Sequence, residues 1–215
     1  SSDVVLDEVF VSEPPEAALA VSLRASGVEV FEVDASALQK AVDVVTPQSV
    51  VATARLPEDS LDRVLAPAKG LVVGLMAVGD PGNVGTLIRA AEAAGVRGVL
   101  VGPETADPFG PKTVRASAGS VLRVPVATVA EREVEELDVL GWTVVATVGG
   151  GGERLDTHQW APASVVLLGN EAAGLAPEIV ASADVAVTVD HEPSVESLNV
   201  AIAGALVMFD WRQRR

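Results

Sequence analysis

The stretch GDPGNVGTLIRAAEAAG, residues 79–95, sets one permanently charged group, the guanidinium of Arg89, in a helix otherwise built from small and apolar residues. Val84, Leu87, Ile88, Ala91 and Ala94 follow the i, i+3, i+4, i+7 spacing of a helix with one buried face. Arg89 lies off that face. Asn83 stands where an N-cap is expected and Gly95 where the helix would stop. Considered by itself, the helix favours a surface Arg89 in contact with Glu92 one turn on. The other reading is a positive charge held out for a ligand. Asn83 likewise has two readings, a cap or a group that orients a neighbour.

The remaining chemistry is narrow. The chain has no Cys and only two His, His158 and His191, which excludes disulfides, thiol nucleophiles and Cys-type zinc sites and argues against a His-based proton relay. Asp190, His191 and Glu192 have metal-ligand residue types, but a solvated loop is the preferred reading, and no metal is expected. The P-loop pattern is absent. In VGGGGERL, residues 148–155, Arg154 stands at the third Gly position of G-x-G-x-x-G, so the run reads as a flexible turn and not as a dinucleotide loop.

The formal net charge is −15, which on its face argues against a nucleic-acid partner. Its distribution is uneven. Residues 1–70 carry 12 acids against 5 bases, residues 71–125 carry 4 against 5, and residues 126–215 carry 14 against 5. Arg89, Arg97, Lys112, Arg115 and Arg123 fall in the middle segment. Either they are scattered, solvated charges or they make a local positive site on an acidic body.

The elements that must position these residues follow from patterning. With 215 residues and 49% hydrophobic content the chain can bury a full core. No signal peptide or membrane span is legible, and a cytoplasmic protein is expected. From Leu71 on, short apolar runs alternate with helical patterns, the rhythm of an α/β domain with a largely parallel sheet flanked by helices. Strands are expected at 71–76, 98–102, 121–126, 142–148, 164–169 and 185–189. Helices are expected at 83–94, 111–118, 129–138, 175–182 and 195–212. Nearly every residue from Val200 to Phe209 is apolar or Gly, so the last helix needs cover on more than one side, by the sheet and by a second subunit. Residues 1–66 read as a small separate domain, with strands in DEVFVSE, GVEVFEVD and SVVATARL and a connection in LPEDSLDRVLAPAKG. It begins abruptly at a strand, so an upstream helix is expected to be missing. Residues 67–215 form the second domain.

Three separated segments taken together resemble the SpoU family of RNA 2′-O-ribose methyltransferases, part of the SPOUT superfamily of knotted methyltransferases. The first is DPGNVGTLIRAAEAAG, matching N-x-G-x-x-x-R at Asn83, Gly85 and Arg89. The second is VVLLGNEAAGL at 165–175, matching L-G-N-E-G-x-G-L at Leu168, Gly169, Asn170, Glu171, Gly174 and Leu175. The third is VESLNVAIAGALVMF at 195–209, matching S-L-N-V through Ser197, Leu198, Asn199 and Val200. The likeness extends to DPFGPKTVRASAG at 107–119 and, more loosely, to the first 70 residues. Two departures stand out: Ala172 replaces the family's Gly, and Val189, Asp190 and His191 replace an Ile-Pro-Met.

The resemblance implies a C-terminal trefoil knot, a small L30e-like RNA-binding domain before it, S-adenosyl-L-methionine as methyl donor, and rRNA or tRNA as substrate, with 23S rRNA favoured. It also implies a homodimer with its active site at the subunit interface. By carry-over, Thr147, Leu168, Gly169, Asn170, Val189 and Leu198 would bind the cofactor, although Val189 and Leu198 also suit an ordinary core. Asn83, Arg89, Glu171, Ser197 and Asn199 would be catalytic. Arg89 would hold a phosphate and stabilise charge developing on the ribose oxygen. Glu171 would orient a guanidinium or the loop. Ser197 and Asn199 would cap the last helix, or bond the ribose or Asn83 and Glu171. The competing readings are a catalytically silent RNA- or ribosome-binding module, a base-nitrogen methyltransferase, and an antibiotic-resistance rRNA methyltransferase.

Overall fold

The computed structural model describes residues 4–12, 17–42, 49–192, 194–195 and 197–215. The chain divides into two compact units, Ser1–Pro57 and Glu58–Arg215.

In the first unit β1 (Leu6–Val11), α1 (Ala17–Ala25), β2 (Glu29–Glu32), α2 (Ala35–Ala41) and β3 (Val50–Ala54) form a three-stranded sheet in the order β2-β1-β3 with two helices. β1 runs parallel to β2 and antiparallel to β3. Val9, Val11, Ala20 and Leu38 are its buried apolar residues. The expected strand DEVFVSE corresponds to β1, its last residue Glu13 lying outside the described residues.

The second unit starts earlier than the expected boundary at 66/67. The segment read as a connection contains α3 (Leu61–Leu65), opened by Ser60, whose side chain accepts from the Arg63 N–H. Val64 is fully buried, and Arg97 donates to its carbonyl at 2.7 Å. This helix therefore belongs to the second unit's core. Its short length hides it in the sequence, since two apolar residues on one face leave no periodic signal.

Seven strands follow: β4 (Gly70–Leu75), β5 (Gly98–Val101), β6 (Val126–Thr128), β7 (Thr143–Thr147), β8 (Glu153–Arg154), β9 (Ala163–Leu168) and β10 (Val185–Thr188). They form one sheet in the order β6-β5-β4-β9-β7-β10-β8, and every neighbouring pair is parallel. Both faces are covered, so the central strands are continuous apolar runs whose alternate residues serve different cores. Leu71, Val73 and Leu75 of β4 pack with Val166 and Leu168 of β9 on one side. Val72, Val165 and Leu167 pack on the other.

The first core is closed by α4 (Pro81–Ala94), by the 3₁₀ turn Ser120–Leu122 and by α8 (Val200–Arg214), with α5 (Pro111–Ala116) laid against α4. The second core is closed by α3, α6 (Glu131–Glu135) and α7 (Pro177–Ser182). Three expected elements differ, the first being the helix expected at 129–138, which is confined to Glu131–Glu135. VLRVPV is not a strand at 121–126: its buried residues Val121 and Val124 are three apart, the spacing of a helical turn, and the strand begins only at Val126. The last helix begins at Val200 and not at 195, because Asn199 caps it, its side chain accepting from Ala201 and Ile202. Glu196 lies outside the described residues.

Helix α4 meets α5 at Gly85, where a Cβ would stand 2.6 Å from both the Ala116 Cβ and the Thr113 carbonyl oxygen. Neither is the yielding end of a long side chain, so the two backbones must separate to admit a methyl. Gly85→Ala is expected to destabilise the second unit by about 1–3 kcal/mol, the usual cost of overpacking, read as a lower midpoint in urea unfolding. An unchanged midpoint would show that α5 moves freely against α4.

Candidate functional site

The site grows from the start of α4. Its N-cap is Asp80, not Asn83: the Asp80 carboxylate accepts from the Asn83 backbone N–H at 2.8 Å, and Pro81 occupies the first helical turn. Asp-Pro at a helix start carries this signal in the sequence, since proline suits a position whose N–H has no partner. The cap being supplied elsewhere, the Asn83 side chain is free for tertiary contacts. Its amide donates to Glu171 Oε1 at 2.9 Å, and its carbonyl oxygen accepts from Asn199 Nδ2 at 3.2 Å. Asn199 in turn points its own Oδ1 to the first N–H groups of α8 at 2.9 and 3.3 Å. Three segments separated by 88 and 116 residues in sequence are thus tied together by two amides and a carboxylate.

Of the two readings of Glu171, orienting a guanidinium or holding the loop, its contacts favour the second: its partner here is the Asn83 amide. Burial works to raise its pKa, but the hydrogen bonds from Asn83 and from the backbone N–H groups of Glu171, Asp80 and Gly79 outweigh it, and the carboxyl is held below its usual value. Glu171 is therefore an anion seated at the N-terminus of α4, where the helix dipole also favours negative charge.

Beside this cluster lies a cavity of about 290 Å³ at the C-terminal ends of β7, β9 and β10. That is close to the lower end of the range of small-molecule sites. Thr147, Leu168, Gly169, Asn170, Val189 and Leu198 all stand on its wall, with Glu171, Ser197 and Ala172. Val148, Gly149, His191, Val200 and Ala203 line it as well, and sequence reasoning does not single them out as binding residues. The turn after β7 signals Val148 and Gly149, and the third motif and the departure before it contain Val200 and His191. Several wall residues have side chains already committed. The Thr147 hydroxyl donates to the Leu167 carbonyl at 2.8 Å. Asn170 donates to the Ala77 carbonyl at 2.9 Å and accepts from Ala172 and Ala173 at 2.9 and 3.0 Å, so it shapes the loop and leaves recognition to backbone and apolar surface.

Gly169 is enforced by the same loop. A Cβ there would stand 2.3 Å from the Gly174 carbonyl carbon and the Leu175 nitrogen, closing the turn that the Asn170–Gly174 bridge holds. The donor set suits a flat heteroaromatic group with a cationic tail: Leu168, Val189, Leu198 and Ala203 offer apolar surface, and Glu171 offers an anion. Asp190 and His191 have partners within the protein. Asp190 pairs with Arg154 at 2.6 Å, and His191 Nδ1 bonds the Val189 carbonyl at 2.9 Å. Across the 170–174 loop a second cavity of about 460 Å³, with Glu104 and Glu131 at its wall, shares Asn170, Ala173 and Gly174 with the first.

Arg89 stands apart. It is exposed on α4 and does not line the cavity. The expected pairing with Glu92 is replaced: Glu92 is gripped by Arg123 through both oxygens, at 2.5 and 2.9 Å. The Arg123 hydrogen bonds, and then one from Ser120, hold the Glu92 pKa down to about 2. Arg89 makes no side-chain hydrogen bond or ion pair among the described residues.

Comparison with known proteins agrees with this arrangement. Residues 70–209 match the model of the SpoU rRNA Methylase family. The chain is 32% identical to the 23S rRNA (guanosine(2553)-2′-O)-methyltransferase RlmP of Bacillus subtilis, over 87% of this chain and 74% of that protein. Its fold is similar to that of an AdoMet-bound rRNA methyltransferase from Sinorhizobium meliloti, with a TM-score of 0.87 and 32% identity over 98% of this chain and 81% of that one. It is equally similar to the SpoU methyltransferase AviRb from Streptomyces viridochromogenes in complex with AdoMet, with a TM-score of 0.87 and 26% identity over 99% and 84% of the two chains.

The depressed Glu171 carboxyl has a consequence that can be measured. A group whose folded pKa is lowered stabilises the fold above its unfolded pKa and loses that contribution as pH falls through the folded value. Asn83→Ala removes one lowering hydrogen bond, so the Glu171 midpoint, followed by carboxyl carbon NMR, is expected to move upward. A midpoint that stays in place would mean that the Asn83–Glu171 bond is not formed in solution.

Proposed function

Since the chain belongs to the SpoU rRNA Methylase family, we propose that it transfers a methyl group from S-adenosyl-L-methionine to a ribose 2′-hydroxyl of RNA, with 23S rRNA as the substrate class. The observation that carries this reading is the Asn83–Glu171–Asn199 chain of hydrogen bonds at the edge of a cavity walled by the second and third motifs. A structural role alone would not require three polar side chains from three motifs to meet beside an open cavity.

The cofactor, when bound, supplies an electrophilic methyl on a sulfonium. The cavity residues would hold it: Leu168, Val189 and Leu198 against the adenine, backbone groups of the 169–175 loop toward its polar edge, and the Glu171 anion toward its positive charge. A ribose hydroxyl is a weak nucleophile at neutral pH, so the protein must favour loss of its proton. Arg89, always protonated, is suited to hold a backbone phosphate and to stabilise the developing oxyanion. Ser197, exposed at the cavity wall, and the Asn83–Asn199 pair are suited to hydrogen-bond the ribose. None of these steps needs a Lewis acid. An RNA substrate puts this work in the cytoplasm.

A homodimer completes the reading. The buried side of α8 faces α4 and the sheet, and its other side carries Ile202, Leu206 and Phe209, 56%, 47% and 38% exposed, in one stripe at i, i+4, i+7 spacing. Such a stripe on a surface helix suits a self-complementary two-fold contact. Light scattering should report a dimer for the native chain and a monomer for Leu206→Glu. A native monomer at micromolar concentration would overturn it.

The activity itself is tested at Arg89. Arg89→Ala leaves no cavity and places a better helix former in α4, so fold and cofactor binding should persist. Loss of one preorganised charge from an oxyanion costs roughly 10²–10³ in rate. Single-turnover transfer of labelled methyl to unmodified 23S rRNA should fall by that factor, with Arg89→Lys rescuing part of it. Transfer within about threefold of the native rate, far short of the oxyanion estimate, would show that Arg89 is a surface residue. A native protein that binds the cofactor but transfers nothing would be a silent RNA-binding module.

A further inference from the structure

Which of the five basic residues in the middle of the chain are available to a ligand is decided by their contacts. Arg97 donates to the carbonyls of Val64 and Ala66, and Arg123 is neutralised by Glu92. Both are structural. Arg89, Lys112 and Arg115 are exposed, and their side chains make no hydrogen bond or ion pair among the described residues.

These three belong to two helices in direct contact. Gly85, one turn before Arg89, sits against Thr113, Ala116 and Ser117 of the α5 segment. Thr113 and Ser117 are the buried positions there. Lys112 and Arg115, at i and i+3, therefore share the exposed side of α5 as neighbours. The surrounding charge does not cancel them. The only acid on α4, Glu92, is occupied by Arg123, and the Asp107 carboxylate accepts from the Phe109 N–H at 2.8 Å. Residues 81–123 carry five basic and three acidic side chains in a chain of net charge −15.

We propose that Lys112 and Arg115 bind the phosphodiester backbone of RNA, extending the positive surface of Arg89 from α4 across α5. The proposal rests on the reading of the protein as an RNA methyltransferase, and it adds the path of the strand: over α4 and α5, with the nucleotide neighbours of the target ribose on the α5 side. A polyanion is the ligand that unneutralised, adjacent cations on an acidic body select. Paired ammonium and guanidinium groups one helical turn apart suit successive phosphates. The grip is on the backbone, so it positions the strand without reading its sequence.

The test is fluorescence anisotropy with a labelled, mixed-sequence single-stranded RNA, titrated at several salt concentrations with the whole chain. Each phosphate of a single strand that is no longer neutralised reduces the slope of log K against log salt by about 0.7. The double variant Lys112→Ala/Arg115→Ala should bind more weakly, with a slope shallower by about 1.4 for the two phosphates. Arg132→Ala, which removes an exposed cation of α6 on the opposite side of the sheet, should leave the slope unchanged. Calorimetric binding of S-adenosyl-L-methionine and the melting temperature should be the same in all three proteins. An unchanged slope in the double variant, or an equal change in Arg132→Ala, would overturn the proposal. Absence of methyl transfer by the native protein, with the α5 effect intact, would sink the enzymatic reading and leave this one standing.

Discussion

The hydrogen bond from the Asn83 amide to Glu171, 2.9 Å long, is the contact on which the candidate site depends, because it joins the start of α4 to the loop after β9. Because Asp80 caps α4 in place of Asn83, the Asn83 oxygen is free as well as its NH₂. An asparagine that served as the cap would have its oxygen turned to its own helix. Placed instead in the first turn, it presents both ends of its amide, one to the Glu171 carboxylate and the other to Asn199. Asn199 divides its amide the other way: its oxygen caps α8 while its NH₂ reaches Asn83. Two helix starts and one strand end are thereby held in one register, and a change in any of the three moves the others.

That register requires close backbone approach. The 169–175 loop turns back on itself through the Asn170–Gly174 bridge, and Gly169 lies so near the returning chain that no side chain fits. Gly85 permits the same on α4, where α5 presses its backbone against the helix. The motif N-x-G-x-x-x-R thus has a physical reading: Asn83 reaches into the site, Gly85 admits α5, and Arg89 projects one turn beyond that contact. Its glycine serves packing, its asparagine ties three segments together, and its arginine is left exposed.

Much of this is legible in the sequence and some is not, for identifiable reasons. The central strands β4, β5, β7, β9 and β10 stand out because both sheet faces are covered and their sequences are continuous apolar runs. Segment 121–126 misleads because Val121 and Val124 are buried through a 3₁₀ turn, and an apolar run this short does not distinguish a turn from a strand. α3 is hidden for a similar reason, its one fully buried residue, Val64, being too little for a periodic pattern. The cap of α4 is readable from Asp80-Pro81, yet Asn83 competes for it because its residue type suits the same role. What no pattern along the chain can supply is pairing at a distance: that Glu92 takes Arg123 and leaves Arg89 without a partner among the described residues, or that Glu171 meets an amide and not a guanidinium. Those outcomes depend on which surfaces the fold brings together.

An acidic protein that binds RNA is less of a contradiction when distances are considered. At physiological ionic strength charges are screened beyond about 8 Å, so a phosphate at α5 responds chiefly to the charges beside it, those of Lys112 and Arg115. The same acids oppose RNA wherever no cation intervenes, which discourages unproductive contacts over the rest of the surface. Affinity from a few cations is modest and sensitive to salt, and the discrimination among RNA sites must then come from shape and from groups beside the ribose. Engaging Arg97 with two carbonyls and pairing Arg123 with Glu92 sharpens this division, because the exposed cations of the 81–123 segment without a partner among the described residues then lie on two adjoining helices, α4 and α5.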